Sequence, residues 1–176
     1  MSKLFSSLAS ALFGRSNAQD SDPRAFRCSS DGATLEFQKA PWVHQSYDSE
    51  GNELFTGQSL DNKAVYGFVT CRLAQPLSDR MVAEQRLFLF MEDLHPHFDI
   101  DCTTGLDHGL KHPSCEDAVG MSEYWQDRAG KDWKVQGWTD GTLMTILYIK
   151  NISITDFRRQ DAYFASFRFA PARKLA

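Results

Sequence analysis

No apolar run in this chain approaches the roughly 18 consecutive residues that a membrane-spanning helix needs. Basic clusters are missing as well, because the lysines and arginines occur singly or in pairs along the sequence. A protein that binds phosphates usually gathers such charges on one face. The sequence therefore predicts neither a transmembrane protein nor a nucleic-acid-binding one.

The common short motifs of catalysis are also absent. The sequence contains no G-x-S-x-G nucleophile elbow, no G-x-x-x-x-G-K-[ST] phosphate loop and no G-x-G-x-x-G dinucleotide fingerprint. Glu92 and Asp93 precede His95 closely enough to form an acid–base cluster, but adjacent acids at a helix end are usually just hydrated. An enzyme is therefore the less favoured expectation.

Cysteine is scarce, with four in 176 residues. Thirteen phenylalanines, five tyrosines and four tryptophans supply a core large enough to fold without disulfides. Cys71 falls in a predicted strand as a buried thiol, and Cys28 falls in a predicted linker. Cys102 and Cys115 bracket twelve residues that include two glycines and a proline. This pair is therefore either a disulfide in an oxidising compartment or two free thiols.

The first eighteen residues support two interpretations. At 100° per residue, the apolar side chains of residues 1–14 fall on one arc and the serines on the other. This predicts an amphipathic helix that anchors a cytoplasmic protein to a partner or to a membrane surface. The alternative is a signal peptide cleaved near residues 16–18, which would make the protein periplasmic or secreted. The predicted anchor residues are Leu4, Phe5, Leu8, Leu12 and Phe13.

Residues 15–32 have the Ser- and Asp-rich composition of a linker, so the domain is predicted to cover 33–169, with a tail at 170–176. TLEF, a hairpin turning at 49–52 and VYGFVTCRL at 65–73 have the patterns of strands. LSDRMVAEQRLFLFMEDL predicts a long helix with Ser78 as N-cap and Pro96 as terminator.

The segments SEYWQD, KDWKVQGW and TLMTILYIKNI are separated by two turn signals, Ala129-Gly130 and Asp140-Gly141. This predicts a three-stranded antiparallel meander whose last strand, TLMTILYIK, is the most buried. ITDFRRQDAYFASFRF predicts a short helix capped by Thr155, with its end passing into extended chain. This order of elements predicts a single α+β domain, an antiparallel β-sheet with a long central helix and a C-terminal helix packed on it.

The same order resembles that of the PsbP/DcrB-like superfamily, which includes Mog-like and Eag-chaperone-like proteins. The segments that carry the likeness are TLEFQKAPW, VYGFVTCRL, TLMTILYIK and DAYFASFRF. Members are mostly non-enzymatic, so the resemblance implies a protein-binding or accessory role.

The segment 95–117 holds four of the five histidines and five acidic residues against one lysine. In an extended strand, His95 and His97 would share one face, while Phe98, Ile100 and Cys102 would share the other. The favoured interpretation is a half-buried strand with a solvated face, which needs no cofactor. The alternative is a zinc site, with ligands among His95, His97, His108, His112 and Cys115.

The leading functional hypothesis is a non-catalytic chaperone or adaptor module that binds another protein, or an apolar segment of one, on its sheet face. Trp133 and Trp138 fall on opposite faces of their strand, so Trp138 is expected to be an exposed anchor. Two alternatives remain, an immunity or inhibitor protein whose acidic 95–117 segment plugs a basic site, and a metal-dependent hydrolase built on that segment. The predicted partner-binding residues are Trp138, Trp125 and Trp42.

Overall fold

A seven-stranded antiparallel sheet, running from Trp42–Tyr47 at one edge to Ile100–His112 at the other, forms the centre of the computed structural model, which describes residues 24–152 and 156–171. The predicted α+β domain with two helices packed on an antiparallel sheet is confirmed. The predicted anchor helix at 1–14 and the Thr155 cap lie outside the described residues. The strands are β1 (Arg24–Arg27), β2 (Thr34–Phe37), β3 (Trp42–Tyr47), β4 (Glu53–Asp61), β5 (Ala64–Arg72), β6 (Ile100–His112), β7 (Cys115–Asp127), β8 (Asp132–Thr139) and β9 (Leu143–Lys150), and the helices are α1 (Arg80–Phe98) and α2 (Phe157–Ala165). The strand order in the seven-stranded sheet is β3-β4-β5-β9-β8-β7-β6.

The central strands are apolar on both sides, so the sheet has a core on each face. In β9 every residue from Leu143 to Ile149 is buried, which confirms the prediction that this strand is the most buried. Ile146 belongs to the core beneath α1, and Leu147 belongs to the core on the opposite face. The meander β7-β8-β9 is formed as predicted.

Helix α1 begins one residue later than predicted, because Asp79 rather than Ser78 is its N-cap. The Asp79 carboxylate accepts hydrogen bonds from the Met81 and Val82 amides at 2.8 and 3.0 Å. The buried residues of the helix recur every three or four positions and so form one stripe against the sheet. They are Ala83, Leu87, Phe90, Met91, Leu94 and Phe98.

The prediction that Pro96 ends the helix is wrong. The helix includes Pro96 and continues to Phe98, where Asp99 adopts a left-handed conformation with φ of 58°. A proline in the last turn removes one hydrogen bond, and the burial of Phe98 offsets that loss. The Phe98 ring lies 5.1 and 5.2 Å from the rings of Tyr148 and Trp133.

The second face of the sheet is covered by the β1–β2 ribbon and by α2. Residues 24–32 were predicted to belong to a linker, but Arg24–Arg27 form a strand and Cys28 is fully buried. The linker prediction, which was based on composition, is wrong for this segment, because pairing with β2 supplies the hydrogen bonds and the burial that the polar segment lacks by itself. After α2 the chain is extended, as expected, and Arg168 pairs with Thr34.

Candidate functional site

A cleft runs along the flank of α1 that faces β6 and β7, and we call it the α1–β6 cleft. Its apolar section encloses about 290 Å³. Three of its apolar side chains are unusually accessible, since Met81 is 75% exposed, Leu106 45% and Phe88 37%. The lining residues are Met81, Glu84, Gln85, Phe88, Leu106, His108 and Met121.

Helical geometry places the α1 residues on this flank. Successive residues on a helix are about 100° apart, so Met81, Glu84 and Phe88 lie beside the buried stripe rather than on it. The opposite wall is the edge strand β6. Its pairing with β7 shifts register close to Gly105 and Gly109, which have φ of 69° and 71°. Glycine adopts this conformation without a Cβ clash, and the resulting bulges bend the strand.

A polar contact joins the two walls of the cleft. Glu84 Oε1 accepts a hydrogen bond from the Gly109 amide at 2.9 Å and lies 3.9 Å from His108 Nδ1. This contact links α1 to the middle of β6 across the apolar section of the cleft.

A polar cluster of Glu92, His95 and Glu123 begins one turn further along α1 than Phe88, and we call it the polar section of the cleft. One potential ligand atom from each residue lies within 4.8 Å of the other two. Glu123 is only 6% exposed and accepts a hydrogen bond from the Trp125 indole nitrogen at 2.7 Å. The His95 ring packs edge-on against Trp125, with 4.9 Å between centroids.

The structure does not bring the predicted zinc ligands together. His95 and His97 were expected on one face of a strand, but they lie in α1, where residues two apart point in nearly opposite directions. His108 is in the apolar section, while His112 and Cys115 pair at the far end of the β6–β7 hairpin. Of the five predicted ligands, His95 alone belongs to the polar section.

The structure also contradicts a Cys102–Cys115 disulfide. All four cysteines are free thiols. Cys102 pairs with Gln126 near the open end of the hairpin, whereas Cys115 pairs with His112 at its turn. About ten residues of extended strand, each adding about 3.3 Å, separate the two pairs. The Cα atoms of Cys102 and Cys115 are therefore much farther apart than the roughly 7 Å that a disulfide allows.

The tryptophans expected to bind a partner are mostly core residues. Trp133 and Trp138 do lie on opposite faces of β8, but Trp138 is 5% exposed and Trp125 is 1% exposed. Trp138 is buried because its ring covers Gly120, where an added Cβ would come within 2.3 Å of it. Trp42 is half-buried on the edge strand β3 and stacks on His44. The expectation of an exposed Trp138 anchor is therefore wrong.

Sequence reasoning placed Glu92 beside His95 at the end of the helix but missed Glu123. The strand pattern could have indicated Glu123, because this residue falls at an inward position between Met121 and Trp125 in β7. A carboxylate at a buried position of a strand needs a partner, which marks it as unusual. The pattern does not reveal that the partner comes from α1.

Comparison with known proteins finds no match, either to a protein-family model or to a curated protein. No helix within residues 24–152 and 156–171 combines the length and the apolar composition needed to cross a membrane.

Proposed function

We propose that this protein is a non-catalytic binding module that holds an amphipathic helix of a partner protein in the apolar section of the α1–β6 cleft. The supporting observation is the exposure of Met81, Phe88 and Leu106 around one groove, next to a core that buries comparable residues almost completely. Apolar residues clustered in a concave surface are typical of a binding site. The resemblance to PsbP/DcrB-like proteins, which are mostly non-enzymatic, favours the same interpretation.

The dimensions of the groove favour a helix as the occupant. Met81 and Phe88 are seven residues apart on α1, a span of about 10 Å, which matches the distance between anchors at i and i+7 of a bound helix. An extended peptide would have to pair with the outer edge of β6. The register shifts in β6 interrupt that edge and disfavour such pairing.

Charge favours basic residues beside the anchors of the partner. Among the described residues, the lining includes Glu84 and contains no lysine or arginine. A helix with a leucine stripe flanked by lysines would therefore match both the apolar surface and its acidic border.

The proposed binding surface lies at the edge of the sheet, whereas the sequence predicted a binding surface on the sheet face. Helix α1 covers one face of the central strands, and the β1–β2 ribbon with α2 covers the other. A partner could reach those faces only by displacing core side chains. The cleft needs no such rearrangement.

Titration of a fluorescent helical peptide, with leucines at i, i+4 and i+7 and lysines between them, tests the proposal. We expect Leu106→Lys to weaken binding about tenfold or more, because the leucine contact is lost and the new charge repels the peptide lysines. Leu60→Lys is the matched control, since Leu60 is 64% exposed on β4, outside the cleft. The readout is fluorescence anisotropy with the full chain.

Equal affinities for the two variants would contradict the proposal. Two other occupants have distinct outcomes. A dimer that Leu106→Lys converts to a monomer in sedimentation would identify a second copy of the chain as the occupant. Tighter peptide binding by a Leu8→Asp variant would identify the N-terminal segment as a competitor that already fills the groove.

A further inference from the structure

We propose that the polar section of the cleft is a zinc site, in which Glu92, His95 and Glu123 are the protein ligands of one divalent ion. The three residues come from two elements, since Glu92 and His95 lie one turn apart on α1 and Glu123 lies on β7. Among the residues that the structure describes, no other group of three such side chains is close enough to hold an ion.

The geometry requires little movement to bind an ion. Glu92 Oε1 is 3.7 Å from His95 Nδ1, and the potential ligand atoms of all three residues lie within 4.8 Å of one another. In a tetrahedral zinc site with bonds of about 2.0–2.1 Å, ligand atoms are about 3.4 Å apart. Small rotations of the Glu92 and His95 side chains would close the difference.

The buried carboxylate of Glu123 calls for a cation. Its hydrogen-bond donor is a neutral indole, and no lysine or arginine of the described chain forms an ion pair with it. A buried carboxylate is costly unless a positive charge compensates it.

The donor set suits zinc. Imidazole nitrogen and carboxylate oxygen are both common zinc ligands, and three protein ligands leave at least one coordination position for water or a ligand. Glu92 is exposed and lies one helical turn from Phe88 of the apolar groove, so that position would be open to solvent on the same flank of α1. The proposal differs from the zinc site expected from sequence, because it uses only His95 of that set. It is also independent of the peptide-binding proposal, which is tested without zinc.

Isothermal titration of Zn²⁺ into the full chain tests the site. A background with Cys102→Ser and Cys115→Ser removes the two accessible thiols, which would otherwise bind zinc themselves. We expect one ion per chain and a loss of affinity of at least about tenfold in both Glu92→Gln and Glu123→Gln, since even residues that only orient metal ligands contribute that much. Glu116→Gln is the control, because Glu116 is exposed on β7 and outside the cluster.

Several outcomes would overturn the proposal. Zinc binding that disappears in the cysteine background would place the ion on the thiols. Binding that is absent, or unchanged in Glu92→Gln, would mean that Glu92, His95 and Glu123 do not hold an ion. Because Glu92 is exposed, Glu92→Gln should fold normally and keep the test valid even if Glu123→Gln unfolds the protein. The melting temperature should also rise with zinc in the parent and not in Glu92→Gln.

Discussion

His112 is a buried histidine whose surroundings favour its neutral form. It lies at the end of β6, with its ring 4.9 Å from that of Trp138 and 5.1 Å from that of Phe169. Burial lowers the pKa of His112 below its usual 6.5, and the nearby charge of Arg168 lowers it further, against a backbone hydrogen bond that raises it. His112 Nδ1 also accepts a hydrogen bond from the Ser114 amide at 3.2 Å, which requires that nitrogen to be unprotonated.

This environment predicts that the protein loses stability in mild acid. As pH falls through about 6.5, the unfolded state binds a proton at His112 that the folded state excludes. The free energy of unfolding should therefore fall from that pH down to the lower folded pKa and then level off. Urea denaturation at pH 7.5 and pH 5 should show a smaller difference in His112→Gln than in the parent.

The control for this prediction is His108→Gln, because the His108 side chain is 71% exposed. Lys134 and Asp161 line the same groove as His112, and both are retained in the two variants. The parent and His108→Gln should show the same pH dependence. A parent-like dependence in His112→Gln would show that other groups cause the acid sensitivity.

At the scale of the element, the N-terminus of α1 depends on one carboxylate. Asp79→Ala removes the acceptor for the Met81 and Val82 amides and should lower the free energy of unfolding by about 1 kcal/mol. Urea denaturation measures this loss. Ser78→Ala tests the capping residue that the sequence predicts. This substitution should change the free energy of unfolding by less than about 0.5 kcal/mol, because Ser78 is exposed. The reverse order of effects would place the cap at Ser78.

Local sequence predicted where most elements lie, but it gave the wrong end for α1 and did not predict β1. The helical spacing of α1 was correct, because one face of a helix must be apolar wherever the helix packs. Its end was predicted from the local preference of Pro96, and packing of Phe98 among three aromatic rings overrode that preference. The same applies to β1, which forms a strand because it pairs with β2.

At the scale of the whole molecule, the four cysteines form no disulfide, and each of the two cores contains one free thiol. Cys71 belongs to the core beneath α1, and Cys28 belongs to the core on the opposite face. Burial raises the pKa of each of these thiols to about 12, and it also raises the pKa of the half-buried Cys115. A thiol with a raised pKa contains little thiolate near pH 8 and reacts slowly.

Thiol labelling near pH 8 should therefore distinguish three classes of cysteine. Cys102 is exposed and should react first, Cys115 should react more slowly, and Cys28 and Cys71 should react only after denaturation. Mass spectrometry of the labelled peptides identifies each class. Four reactive thiols are expected in denatured protein without reductant, and the melting temperature should be the same with and without reductant. Only two reactive thiols after denaturation would demonstrate a disulfide.

The sequence by itself determined the class of the fold. Alternation, turn signals and helical spacing are local consequences of how each strand or helix is buried, so they revealed the meander, the long helix and the high burial of β9. They also separated Trp133 from Trp138 onto opposite faces of β8. These features depend on neighbours within a few residues, which a sequence pattern records.

Only the tertiary structure decided which surfaces stay open and which side chains meet. Trp138 is buried because its ring covers Gly120 on the neighbouring strand, and Cys102 and Cys115 are apart because β6 is extended between them. Glu123 meets His95 because α1 lies across β7, although 28 positions separate the two in the chain. Contacts between distant elements depend on how the elements pack, and local periodicity does not encode that packing.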